Sequence, residues 1–344
     1  MTISITAHPD AGQRHRVLHV AHGALVAGRL RQLGYRHVHA LRDNLAVGPV
    51  AVEVARTSEL RRAYWASRGF DASVLDDCVD DLACLDAPAR AKVLWAAASW
   101  PARLACWRLL HAIAIGERGS PWRFARWAKS ERSEAEASAY EHLGRDRVRA
   151  QLRAAVAVGA NRLEAAARLW TAYASPTPEA VATLPWQDFA AFPAARASFG
   201  AYADALPRRG RSPGVVLVSR NDELLLSAVS SATWQRPVDV LRAHGESSAL
   251  LGLMTRYGDD FIIARWHAFA ASSCGALALR PVAGINPWTD CELRRTRAGE
   301  ALLADGTRDP TELPALHVGG AVAYREPLWF CGTTSDGTWS LEPA

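Results

Sequence analysis

The segment Arg16–Val50 constrains the fold more than any other part of this chain, because it contains a complete strand–turn–helix–strand unit. Val17–Ala21 is an apolar run that predicts a buried strand, and Leu25–Leu33 follows with helical spacing. Val38–Leu41 then resumes an extended run. Such a unit needs its crossover helix packed against a parallel sheet, and it puts Gly23 where backbone amides at a helix N-terminus can face an anion.

Residues 16–115 continue this alternation and predict an α/β, Rossmann-like domain with a small parallel sheet. A polar helix is expected around residues 58–67, a buried strand at Lys92–Ala96 and an apolar helix at Leu104–Ile115. Residues 1–15 are expected to form a flexible tail.

From residue 116 the pattern changes, and residues 116–210 predict a region that is helical throughout. Residues 211–344 predict a winged-helix-like α+β domain that ends in β-hairpins, because three helices precede a strand hairpin. The expected helices are Asp222–Ser230, Pro237–His244 and Asp259–Ala271, and the expected hairpin strands are Leu277–Arg280 and Glu292–Arg295. Asp336-Gly337 is a turn signal within the terminal hairpins.

The positive charge of the chain comes almost entirely from arginine. The net charge is +5, yet Lys92 and Lys129 are the only lysines. Arginine suits phosphate, carboxylate and aromatic partners, although the same bias follows from a GC-rich genome. The arginines are spread along the chain rather than gathered in one basic stripe, so we do not expect a nucleic-acid partner.

Several features indicate a cytoplasmic protein that does not contact a membrane. No apolar run approaches the roughly 18 residues of a membrane span, and the N-terminal segment lacks the apolar core of a secretory signal. The six cysteines have no metal-binding spacing and are expected to be reduced thiols.

Several segments make the chain resemble proteins that carry the domain of unknown function 1835, commonly followed by a second uncharacterised domain. The similarity begins in LHVAHGALVAGRL and continues through RDNLAVGPV, KVLW, ARLWTAYASPTP, RYGDDF and LRRTRAGEALLADG, ending at VGG. It covers roughly residues 16 to 340 in the expected order.

The chain departs from this family at the polar positions. The first turn of the family reads Gly-Asp-Ser, but this chain has Gly23-Ala24-Leu25. Where the family places Glu-His-Asp and then Asp-Gln, this chain has Ala97-Ala98-Ser99 and Ala102-Arg103. General acid–base or metal-assisted chemistry needs such polar side chains, so the departures predict a lost or altered activity. The retained residues are His19, Gly23, Arg42, Asp43, Gly48 and Pro49.

His19, Arg42 and Asp43 are the candidate site residues, because the carboxyl ends of neighbouring parallel strands form the usual ligand crevice. In one interpretation Arg42 binds an anion, with Gly23 and Gly48 beside it, while Asp43 orients His19 as a base. In the other, Arg42 and Asp43 form a local salt bridge and His19 is a hydrogen-bonded core residue.

Three further features have structural interpretations that we favour. The run Asp76–Asp86 lacks the ligand order of a calcium loop and is expected to be an acidic linker, so no metal site is predicted. Helix Asp259–Ala271 carries Arg265 and His267, but it is too apolar for a DNA-recognition helix. Trp122 and Trp127 flank two arginines and could stack on bases, although most tryptophans are core residues.

We therefore interpret the chain as a non-catalytic binding or adaptor protein without a cofactor. A protein partner and a small anionic ligand are the expected binding partners. The alternatives are an enzyme that acts on a small anionic or nucleotide-like substrate through His19, Arg42 and Asp43, and a nucleic-acid-binding regulator.

Overall fold

The fold was analysed in a computed structural model. It describes residues 17–67, 81–87, 89–97, 99–116, 121–126, 144–244, 248–283 and 289–344. Within these ranges no helix combines the length and the apolar character needed to cross a bilayer. The predicted tail at residues 1–15 lies outside the described residues.

The chain divides into two compact units by its internal contacts. The first unit comprises Met1–Ala46, Val50–Ala172 and Pro185–Ala195, and the second comprises Val47–Pro49, Tyr173–Leu184 and Arg196–Ala344. This division differs from the three consecutive segments expected from the sequence, because residues 144–172 and 185–195 of the expected helical region group with the first unit.

The first unit is built on a five-stranded, mostly parallel sheet, which confirms the predicted α/β architecture. The strands in chain order are β1 (Val17–His22), β2 (Val38–Leu41), β3 (Ala91–Ala96), β4 (Trp122–Arg126) and β5 (Val156–Ala157). Their order across the sheet is β2-β1-β3-β4-β5, in which only β5 runs antiparallel to its neighbour.

The expectation of an entirely helical region after residue 116 is wrong at β4 and β5. Trp122 and Phe124 are buried on this short strand, which pairs with β3 along its whole length. Between them, the Arg123 guanidinium donates a hydrogen bond to the backbone carbonyl of Ala155. This contact gives the Arg123 side chain a hydrogen-bond acceptor within the sheet, so arginine at this position is compatible with a strand.

Five helices of the first unit lie within the described residues. They are α1 (Ala24–Gln32), α2 (Val54–Ala66), α3 (Trp100–Ile115), α4 (Arg145–Arg153) and α5 (Ala160–Tyr173), of which α5 ends at the first residue of the second unit. Side chains from α1, α4, β1 and β3 form one buried cluster that includes Ala21, Val26, Leu30, Val93, Trp95 and Leu152. Because this cluster covers one face of the sheet, it fixes the position of the strand ends that are described below.

The second unit contains helices and small antiparallel sheets. Its helices are α6 (Glu179–Ala182), α7 (Ala195–Ser198, shared with the first unit at Ala195), α8 (Gly200–Ala203), α9 (Arg220–Ala228), α10 (Pro237–His244), α11 (Ser248–Tyr257), α12 (Asp259–Ala271) and α13 (Arg297–Asp305). Its strands pair as β6 (Arg208–Arg209) with β7 (Val216–Leu217), β8 (Leu277–Pro281) with β9 (Cys291–Arg295), β10 (Leu316–Val318) with β11 (Ala321–Ala323), and β12 (Trp329–Thr333) with β13 (Trp339–Pro343).

The predicted helices and hairpins of the second unit are confirmed within a few residues, including the terminal β-hairpins. Helix α11 was not predicted, so four helices rather than the expected three precede the β8–β9 hairpin. Ser219 begins α9 by accepting a hydrogen bond from the backbone amide of Asp222, as an N-cap residue does. A buried polar network then ties α9 to α12, because the Asp222 carboxylate binds the Arg265 guanidinium through two bonds of 2.7 and 2.8 Å. The Tyr324 hydroxyl donates to the same carboxylate at 2.6 Å.

Candidate functional site

The strand order identifies where a ligand crevice lies in the first unit. β1 has β2 on one side and β3 on the other, so the chain reverses its direction across the sheet at β1. Because parallel crossovers are right-handed, such a reversal places successive crossover helices on opposite faces, and a ligand crevice is expected at the carboxyl ends of β1 and β3. The candidate site is therefore the edge formed by the ends of these strands.

Strand register brings three predicted positions to this edge. His22 pairs with Leu41 on β2, and Ala21 pairs with Trp95 on β3. The next positions along the same register are Gly23, Arg42 and Ala97. The backbone amide of Gly23 donates to the carbonyl of Leu41 at 2.8 Å, which keeps the two strand ends together.

Gly23 joins β1 to α1 in a conformation that favours glycine. Its φ is 84°, and a Cβ atom built on it would meet no other atom within 4 Å. Glycine is therefore required at this turn by its backbone conformation and not by crowding. The space next to its Cα atom is open.

Two helices begin at this edge, α1 at Ala24 and α3 at Trp100. Neither has an acidic residue in its first turn, and the hydroxyl of Ser99 does not cap α3. The amides of a first helical turn carry partial positive charge, which attracts anions. Arg42 is exposed and adds a full positive charge, while Leu25 is 67% exposed and adds an apolar surface at the start of α1.

His19 lies in the core of the first unit rather than at this edge. Its side chain is buried, and its Nδ1 accepts a hydrogen bond of 3.0 Å from the indole Nε1 of Trp95. The ring of Tyr35 packs edge-on against it, with 4.6 Å between centroids. Burial and the nearby charge of His37 lower the pKa of His19 to about 3, so the imidazole is neutral at physiological pH.

Asp43 is bound by Arg61 on α2, not by Arg42 as the predicted local salt bridge required. The Arg61 Nε lies 2.9 Å from Oδ2 and its Nη2 lies 2.6 Å from Oδ1. The indole Nε1 of Trp65 donates to Oδ1 at 3.2 Å. These donors occupy both carboxylate oxygens, while His19 receives its hydrogen bond from Trp95, so the expectation that Asp43 orients His19 is wrong.

His22 is the imidazole at this edge that sequence reasoning missed. It is the last residue of β1, and its side chain hydrogen-bonds to the backbone of Asp43. Its Nε2 is buried without a hydrogen-bond partner among the described residues. Burial lowers its pKa to about 4, so it is a neutral hydrogen-bonding group. Its position directly before Gly23 was the available signal.

Gly48, the third predicted ligand-binding residue, belongs to the second unit together with Pro49. It is buried and has a φ of 79°, a backbone conformation that favours glycine. The backbone conformation at this position therefore explains why the residue is glycine, and no ligand is needed to explain it.

The remaining candidates do not form a second site among the described residues. Asp76, Asp77 and Asp80 lie outside the described ranges, as do Ala98 and Trp127. No group of three or more potential metal-binding side chains occurs within the described ranges. Trp122 is buried in β4.

Helix α12 cannot present Arg265 to DNA, because this side chain is buried. Its guanidinium binds Asp222 and also donates to the backbone carbonyls of Pro314 and Ala315 at 2.8 and 3.0 Å. The Nε2 of His267, on the same helix, lies 3.7 Å from the sulfur of Cys291.

No protein-family model matches the chain and no curated protein matches it, so the resemblance to the domain-of-unknown-function 1835 family stays a prediction.

Proposed function

We propose that this protein is a non-catalytic binding or adaptor protein of the cytoplasm. Its first unit binds a small ligand that carries a phosphate or carboxylate group, at the crevice defined by Gly23, Arg42 and Ala97. Its second unit contacts a protein partner.

The observation that carries this proposal is that the two candidate catalytic side chains, His19 and Asp43, are both bound by other residues of the protein. The Nδ1 of His19 is engaged by Trp95, and the carboxylate of Asp43 is engaged by Arg61. A general base must reach a proton on the substrate, and buried groups already engaged in the core are poorly placed for that task. These contacts argue against the alternative of an enzyme that acts through His19, Arg42 and Asp43.

The chemistry of the crevice supports an anion as the ligand. Arg42 can form two parallel hydrogen bonds with a phosphate or carboxylate. The first turn of α1 contributes amides without competing carboxylates, and so does that of α3 except at Pro101, which has no N–H. Leu25, which is exposed, offers apolar contact to the rest of the ligand, whereas the side chain of Ala97 is buried in the core. A small organic anion should therefore bind more tightly than inorganic phosphate, which still binds to the same charged groups.

The second unit is proposed to be winged-helix-like. Helices α9, α10, α11 and α12 precede the β8–β9 hairpin, and Gln235, between α9 and α10, pairs with Leu293 of β9. Because Arg265 of α12 is buried and cannot reach DNA, we propose that this unit binds a protein partner and does not recognise a DNA sequence.

Analysis of co-purifying molecules tests this proposal. The full chain is purified and then denatured. Mass spectrometry identifies the small molecules that are released and any protein that co-purifies. We expect an organic anion that the native protein returns chemically unchanged after incubation. The same preparation of Arg42→Gln should lack the anion and keep the protein partner.

Turnover of the retained compound would contradict the proposal. The decisive comparison is the rate with His19→Ala and with Asp43→Asn, each shown by its melting curve to be folded. A loss of about a hundredfold or more in a variant that still binds the retained compound as the wild type does would assign that residue an acid–base role, since this is the lower end of what a positioned acid or base contributes.

A further inference from the structure

A small three-stranded face in the second unit carries an unusual concentration of arginine. The β8–β9 hairpin is extended by Gln235, whose backbone amide and carbonyl both bond to Leu293 at 3.0 and 2.7 Å. The antiparallel register then places Trp234 beside Arg294, and it places Arg236 beside Glu292. On the other side of β9, Arg280 pairs with Glu292.

One side of this face is in the core and the other is accessible. Leu277, Leu293 and Cys291 alternate onto the buried side. The accessible side consists of Trp234, Arg236, Arg280, Glu292 and Arg294, here named the arginine–tryptophan surface. Three guanidinium groups against one carboxylate give it a net charge of two positive units.

Trp234 holds two of these guanidinium groups in place. The Cζ of Arg280 lies 4.5 Å from the Trp234 ring centroid and that of Arg294 lies 4.9 Å from it. Glu292 accepts from the Nε of Arg280 at 2.6 Å and fixes that side chain from a second direction. A stacked guanidinium keeps N–H groups at its rim available, and its restricted rotation lowers the entropy lost on binding.

We infer that the arginine–tryptophan surface binds an acidic segment of a partner protein. One carboxylate of an extended segment pairs with Arg294, and a second approaches the Nη1 side of Arg280, because Glu292 already binds its Nε and Nη2. Arg236 adds a third charge. Bidentate carboxylate–guanidinium bonds are among the stronger hydrogen bonds in proteins. The inference rests on the adaptor role proposed above and names the chemistry of the partner.

The stacking of Trp234 favours an acidic protein over a nucleic acid. Its ring is stacked with two guanidinium groups, whereas single-stranded nucleic acids require accessible aromatic faces.

Fluorescence anisotropy with the full chain tests this inference. The probe is a labelled peptide of alternating Glu and Ser, compared with a Gln–Ser peptide and a single-stranded oligonucleotide of equal length. The double variant Arg280→Gln/Arg294→Gln removes the two stacked charges. Arg211→Gln/Arg308→Gln is the matched control, because it removes two exposed arginines elsewhere in the same unit.

We expect the Glu–Ser peptide to bind and the Gln–Ser peptide not to bind. The surface variant should weaken binding at least about tenfold and the control less than about twofold, and added salt should weaken binding to the wild type. Trp234→Leu keeps the charges of Arg280 and Arg294 but removes the ring that restricts their rotation, so it should weaken binding of the Glu–Ser peptide. The melting temperature of this variant should equal that of the wild type.

Equal binding by the surface variant and the control would overturn the inference, as would tighter binding of the oligonucleotide through the same arginines. A protein that co-purifies equally with the wild type and the surface variant would also overturn it, while the adaptor role itself would stand.

Discussion

The guanidinium of Arg61 and the carboxylate of Asp43 form a buried ion pair, with Nη2 2.6 Å from Oδ1 and both side chains shielded from solvent. The pair joins the end of β2 to the middle of α2, so it positions the loop that carries Arg42. The Arg61 guanidinium also stacks on the rings of Tyr64 and Trp65, at 5.2 and 5.1 Å from their centroids. Asp43 therefore has a structural role next to the crevice.

Asp43→Asn should destabilise the protein by about 3–5 kcal/mol, because it leaves the Arg61 charge buried without its counter-ion. The control is Glu59→Gln, which breaks an exposed ion pair with Arg56 and should change stability by less than about 1 kcal/mol. Urea unfolding of both variants measures the difference. An Asp43→Asn protein as stable as the wild type would refute the structural role of this pair.

His19 should make the protein less stable in acid. Its folded pKa of about 3 lies below that of an unfolded histidine, so the unfolded chain binds more protons between about pH 6.5 and 3. The stabilisation is complete above this window and is lost as the pH falls through it. A difference of one bound proton changes the unfolding free energy by about 1.4 kcal/mol per pH unit. His19→Gln should therefore reduce the slope of the unfolding free energy against pH by up to that amount.

Gln is chosen at position 19 because its carbonyl can still accept the hydrogen bond from Trp95. The measurement is the unfolding free energy of both proteins between about pH 7 and 5. Identical slopes in both proteins would contradict the assignment of a neutral, buried imidazole at position 19.

Gly320→Ala should destabilise the second unit, because a Cβ atom at this position would lie 2.0 Å from the backbone carbonyl oxygen of Ala174. Overpacking of this kind costs about 1–3 kcal/mol. Gly252→Ala, within α11, is the matched control in the same unit. A Cβ atom there meets nothing within 4 Å, so the higher helix propensity of alanine should stabilise the protein by about 0.5–1 kcal/mol. Thermal melts that shift in the same direction for both variants would contradict this account.

Local patterns predicted the elements well. β2 and α12 occupy the predicted residues, and β1, β3 and the β8–β9 hairpin agree within one residue or two. Alternation, helical spacing and turn residues determine such elements over short stretches of chain. β4 was missed because residues 116–210 were expected to be helical throughout, and the carbonyl that binds Arg123 belongs to Ala155, 32 residues further along the chain.

The sequence predicted which positions lie at the sheet edge, but not which side chains bind to one another there. Parallel register brought Gly23, Arg42 and Ala97 to one edge as expected. The partners of His19 and Asp43 could not be predicted, because Trp95 is 76 residues from His19 and Arg61 is 18 residues from Asp43. Contacts at such separations depend on how helices and strands pack, which no local pattern encodes.

Titration with inorganic phosphate, followed by the melting temperature, tests the central claim of an anion site at the sheet edge. The comparison is between Arg42→Gln and Arg36→Gln, since Arg36 is also exposed but lies before the amino end of β2. Both substitutions remove one positive charge, and the effect of phosphate is measured against the melting temperature of the same variant without ligand. We predict that phosphate raises the melting temperature of the wild type and of Arg36→Gln, as a ligand specific to the native state does, and leaves Arg42→Gln unchanged. Equal shifts in all three proteins, or no shift in any, would contradict the claim.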